Sequence, residues 1–78
     1  MRGYSQHIVE ANQLADPSKV GVMLGKLCIA KKIPATLVAE ELEISKQSVY
    51  DWFSGRANPT KDKESLIVQL IQKLTEVN

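Results

Sequence analysis

One cysteine and one histidine in 78 residues leave this chain without an internal disulfide and without a ligand set for structural zinc, so its core must hold by packing alone. Aromatic residues are scarce at 5%, as in small helical domains, while an apolar share of 44% is too high for a disordered chain. No apolar run approaches the roughly 20 residues that cross a bilayer. No N-terminal stretch joins positive charge to an apolar h-region either, and a cytoplasmic protein with no membrane partner is expected. Strand patterns, internal repeats and low-complexity tracts are also missing. What remains is a single small all-α domain of marginal stability.

The net charge of +1 is small for a protein that would neutralise phosphates. The charges are unevenly spread, however. Glu40, Glu41 and Glu43 cluster in one segment, whereas Lys46, Arg56, Lys61 and Lys63 follow it, which allows a local basic face.

Along the chain, residues 1–16 read as an arm or a short helix: Ile8, Val9 and Leu14 are their only sizeable aliphatics, and Gly3 stands near the start. Asp16-Pro17 is a helix start signal, predicting a helix from about Pro17 to Lys32. Its stripe is Val20, Leu24, Leu27 and Cys28, flanked by Met23, with Gly21 and Gly25 permitting close approach of a neighbour. Ile33-Pro34 breaks the chain, and a second helix carries Pro34 in its first turn and runs to about Leu42. Glu43-Ile44 is a turn, Ser45 caps a third helix, and Gly55 ends it in the left-handed conformation. Arg56 to Pro59 form a loop. Thr60 then caps a last helix whose first turn holds Asp62 and Glu64 and whose stripe is Leu66, Ile67, Leu70, Ile71, Leu74 and Val77.

The segment from Ala35 to Gly55 carries the functional signal. Two short helices meet at a tight turn, with apolar residues at Leu37, Val38, Leu42, Ile44, Val49, Trp52 and Phe53 and the thin Ala39 where steeply crossing helices need one. Its second helix opens with Ser45, Lys46, Gln47 and Ser48, hydrogen-bonding side chains at the end that enters the major groove in a helix-turn-helix.

On these residues the chain resembles the lambda repressor and Cro-like (Xre-type) helix-turn-helix superfamily over about Lys19 to Leu74. The match rests on Leu27 and Ile33, on Val38, Ala39 and Leu42, on Ile44, Val49 and Trp52, and on Gly55 with Asn58-Pro59. The resemblance implies a compact bundle of four or five helices in residues 17–78. It implies a DNA-binding transcription regulator of the phage or mobile-element repressor type, usually a two-fold homodimer on double-stranded operator DNA. Here the dimer would form through the C-terminal helix or the N-terminal arm. Carried over by position, Ser45, Lys46, Gln47, Ser48, Tyr50 and Asp51 would face base edges, Ser54 would lie near phosphates and Thr36 near the DNA backbone. The chain departs from the family at Glu43, where glycine is frequent, at Pro34, at Ala35, where a phosphate-binding glutamine is frequent, and at Cys28, where an arginine is frequent.

Lysine donates to guanine, and glutamine matches the donor and acceptor pair of adenine, so Lys46 and Gln47 are the first candidates for direct readout; a solvated helix face is the alternative. Tyr50 either meets a thymine methyl or phosphate, or covers the core edge. Asp51 either accepts from cytosine N4, orients a neighbouring lysine, discriminates against wrong sequences, or makes no contact. Arg56, Asn58, Lys61 and Lys63 are candidates for the sugar-phosphate chain. Trp52 and Cys28 read as core residues and His7 as a surface side chain. No cofactor, metal site or enzyme is expected, since no nucleophile, base and orienter occur at suggestive spacing. A small enzyme would need His7 and Cys28 together in a cleft. The main rival is a protein-interaction module on the same scaffold, such as an antitoxin, antirepressor or adaptor, using an exposed Leu66-to-Val77 stripe.

Overall fold

The computed structural model of the chain describes residues 4–76, and among these the regular structure is entirely helical. Gly3 and Val77 lie outside the described residues. Five helices follow one another: α1 (Gln6–Leu14), α2 (Val20–Lys31), α3 (Ala35–Leu42), α4 (Lys46–Phe53) and α5 (Lys61–Glu76). Helix α2 is the hub, meeting α1, α4 and α5, while α3 packs on α4 and α5. The radius of gyration, 11.2 Å, is what close packing of a chain this long gives.

Three consecutive helices end alike. After α2, α3 and α4 the chain passes through one left-handed residue, Lys32 (φ 60°), Glu43 (φ 57°) and Gly55 (φ 80°). The next amide then reaches back: Ile33 N–H to Cys28 O at 2.9 Å, Ile44 N–H to Ala39 O at 3.0 Å, and Arg56 N–H to Asp51 O at 2.9 Å. These are Schellman closures, which satisfy carbonyls the helix end would leave unpaired. Only one uses glycine. At Lys32 and Glu43 the left-handed backbone costs about 1–2 kcal/mol. There the following Ile33 and Ile44 pack against the core and offset it.

The core joins Leu24 and Cys28 of α2, Val38 and Leu42 of α3, Val49, Trp52 and Phe53 of α4, and Ile67 and Leu70 of α5. Close approach of α2 and α4 depends on glycine. A Cβ on Gly21 would stand 2.9 Å from Trp52 Cβ, and one on Gly25 would stand 2.8 Å from Phe53 Cγ.

Four expectations are corrected. Helix α2 starts at Val20, not Pro17, because Asp16 builds a turn of its own. Its carbonyl accepts from Lys19 N–H at 3.2 Å around Pro17, and its carboxylate accepts from Ser18 N–H at 2.9 Å. The Ser18 N–H and the Ser18 hydroxyl, both donating to this carboxylate, hold it below its ordinary pKa. In α2, Val22 is fully buried and Val20 and Leu27 only partly, since the two glycines turn the inward face toward α4. Pro34 is the N-cap of α3 and does not enter its first turn. The α5 stripe, finally, is largely consumed inside the fold: among its described residues Ile67 and Leu70 are buried, Ile71 and Leu74 are packed against the core, and only Leu66 stays exposed.

Residues 4–15 are built into the globule. Ser5 caps α1 by accepting from Ile8 N–H at 3.3 Å. Asn12, 2% exposed, donates through Nδ2 to Phe53 O at 2.7 Å and to Val22 O at 3.2 Å, tying α1 to α4 and α2. Tyr4 stacks at an angle on Phe53, ring centres 5.8 Å apart, and its hydroxyl donates to Ile33 O. Leu14, by contrast, is 89% exposed.

Candidate nucleic-acid interface

Helix α4 has two unlike faces because its sequence, KQSVYDWF, puts Val49, Trp52 and Phe53 on one side. All three are buried. The Ser45 hydroxyl accepts from Ser48 N–H at 3.2 Å and donates to Ser48 Oγ at 3.1 Å, so the first turn is capped as its sequence predicts. Ser45, Lys46 and Gln47 are exposed at that end, and Ser48, Tyr50 and Asp51 are half-buried beside them.

The groove between α1 and α4 gathers several of the expected residues. Gln47, Tyr50, Asp51, Ser54 and Arg56 line one wall, and His7, Ile8 and Ala11 of α1 line the other. Thr36, Asn58 and Lys61 stand apart from it, exposed on α3, on the loop and at the start of α5. Tyr50 packs against the core cluster, so its ring covers the core edge. Ser54 turns its hydroxyl inward, donating to Tyr50 O at 2.9 Å, and acts as a helix end-cap rather than a free surface donor.

Asp51 does not orient a lysine. Its carboxylate accepts from Gln47 Nε2 at 3.1 Å, an i, i+4 pair on the outer face of α4.

The basic residues divide by what they touch. Lys63 Nζ donates to Leu42 O at 2.6 Å, closing the end of α3, so this lysine is structural and not free for the sugar-phosphate chain as its position suggests. Lys19 Nζ reaches Gly55 O at 3.3 Å, and Lys26 Nζ reaches Asn12 O at 3.4 Å. Lys73 pairs loosely with Glu41 at 3.7 Å. Lys46, Arg56 and Lys61 are exposed on α4, in the loop after it and at the start of α5.

Cys28 and His7 have different surroundings. Cys28 is fully buried beside Tyr4, and burial pushes its thiol up to about 11. Burial likewise raises the Tyr4 phenol, with the neighbouring Cys28 adding to the effect. His7 lies on the exposed groove wall. Among the described residues no three His, Cys, Asp or Glu side chains gather where they could hold a metal ion, and no helix is long and apolar enough to cross a membrane.

Sequence reasoning missed Tyr4 and Asn12, which dock α1. Gly25 held the one signal of it, because a Cβ there would stand 2.6 Å from Asn12 Nδ2. No family model, curated protein or solved structure matches the chain.

Proposed function

We propose that the chain is a sequence-specific double-stranded DNA-binding regulator that presents α4 to the major groove. The supporting observation is the two-faced build of this helix: Val49, Trp52 and Phe53 anchor it inwardly, and Ser45, Lys46 and Gln47 stand exposed at its N-terminal end. Lys46 and Gln47 read base edges, while Arg56, Asn58 and Lys61 contact phosphates and set register. Thr36 lies at the flank of the contact. The buried Ala35 contributes no phosphate anchor. This reading makes the chain a lambda repressor or Cro-like regulator of the cytoplasm, acting by occupying an operator. Two copies would set their α4 helices about one DNA turn apart, near 34 Å.

A second reading draws on a different surface. Met23 of α2 and Val68 of α5 line one surface depression with Val20 and are each more than two-fifths exposed, a small apolar area suited to a protein partner in an interaction module.

Selection of duplexes from a random pool, followed by affinity measurement across salt, separates the two. The regulator returns a consensus and loses affinity steeply with salt, about 0.9 in log affinity per log unit of salt for each phosphate neutralised. A chain that returns no consensus is not this regulator.

A further inference from the structure

We propose that Asp51 is a positioning residue for base readout, occupying one Nε2 proton of Gln47 so that this side chain selects adenine over guanine. The inference rests on the DNA-reading function proposed above and deepens it by naming the base class and the residue that fixes it.

The geometry starts from the backbone. The Asp51 carbonyl accepts from Arg56 N–H at 2.9 Å, from Ala57 N–H at 3.3 Å and from Ser54 Oγ at 3.3 Å. Asp51 is therefore held at the closure of α4, one turn beyond Gln47 and on the same side of the helix. Its Oδ1 lies 3.1 Å from Gln47 Nε2. A carboxylate accepts and does not donate, so the amide must turn its nitrogen toward Asp51 and its oxygen away. A glutamine without such a partner presents either end.

Proton counting then gives the preference. The amide carries two N–H donors and one carbonyl acceptor. With one donor engaged by Asp51, one donor and one acceptor remain for a base. Adenine presents N7 as acceptor and N6 as donor in the major groove and takes both. Guanine presents two acceptors, N7 and O6, of which only one is served, and the second faces the Gln47 oxygen and the Asp51 carboxylate. Cytosine and thymine each offer the amide a single bond. Removing the carboxylate frees the second donor and lets the amide rotate, so guanine becomes acceptable.

The test begins with the consensus selected by the wild-type chain, in which the position read by Gln47 is the one whose preference disappears in Gln47→Ala. At that position adenine is expected. Asp51→Ala is expected to lower the adenine-over-guanine ratio about tenfold and to raise affinity for all duplexes, because a negative charge leaves a surface facing phosphates. Asp51→Glu, which keeps an acceptor, restores the ratio in part, and adding Asp51→Ala to Gln47→Ala changes the ratio no further. Thermal melting of each variant confirms that the fold is intact. An unchanged ratio in Asp51→Ala overturns the positioning role while leaving DNA reading in place. A loss confined to a neighbouring cytosine overturns it too, as that would make Asp51 itself the reader. A wild-type chain that selects no consensus overturns the DNA-reading function itself.

Discussion

Helices α1 and α4 are nearly the same length, nine and eight residues, and lie side by side, yet they are attached to the molecule by different physics. Helix α4 buries an apolar face, Val49, Trp52 and Phe53, and leaves its polar face outside. Helix α1 buries one residue, the polar Asn12, and leaves Leu14 almost fully exposed. One element is held by area removed from water, the other by two directed hydrogen bonds to carbonyls of α2 and α4. The first kind of attachment is strong and tolerant in direction; the second is weaker but fixes one geometry.

The sharpest way to break this contrast is to remove one aromatic anchor of α4. Phe53→Ala or Trp52→Ala should cost about 3–5 kcal/mol, a large share of the roughly 5–15 kcal/mol that holds a small domain. Loss of the cooperative melting transition in circular dichroism is the expected result. Asn12→Ala tests the other attachment. It deletes both bonds and leaves buried carbonyls without that partner, so a loss of about 1–3 kcal/mol is expected. Amide exchange should quicken through α1 and change little in α3. If exchange rises equally everywhere, α1 is an inseparable part of the core and the contrast fails.

Alkaline titration sharpens the account of how the first residues dock. The Cys28 thiol is raised by burial from 9.0 to about 11 beside Tyr4, whose phenol is raised as well. Below pH 9 the thiol is protonated in folded and unfolded chains alike, and its contribution is complete. Between about pH 9 and 11 the unfolded chain ionises first, so stability falls as pH rises. Melting temperatures across that interval should drop, and Cys28 should resist a thiol reagent at neutral pH until the chain unfolds. The smallest effect belongs to Glu43→Gly. It relieves a left-handed residue and should raise stability by up to about 1 kcal/mol in chemical denaturation, with Asn12→Ala unaffected in its own increment.

The same contrast explains what could be read in the sequence. The all-helical class, the α3–turn–α4 arrangement, the Ser45 and Thr60 caps and the left-handed Gly55 were legible because each has a local signature: period, capping residue, or a glycine past the last apolar residue. Residues 4–15 were not, because their attachment is written in no period. An asparagine that docks a helix looks like any surface asparagine until the carbonyls of Val22 and Phe53, far off in sequence, are placed beside it. The roles of the lysines were hidden for the same reason: Lys63 and Lys61 are indistinguishable by composition, yet Lys63 closes α3. The Gln47–Asp51 pair was present as an i, i+4 spacing, but its direction follows only once α4 is oriented by its buried face.

The exposed end of α4 as a DNA-reading surface is tested most directly by residue-resolved amide shifts as the consensus duplex is titrated into labelled protein. The largest shifts are expected at Ser45, Lys46 and Gln47, smaller ones at Thr36, Arg56, Asn58 and Lys61, and none at Met23 or Val68. Shifts centred on Met23 and Val68, with Lys46 and Gln47 unmoved, would contradict a DNA-reading role for α4.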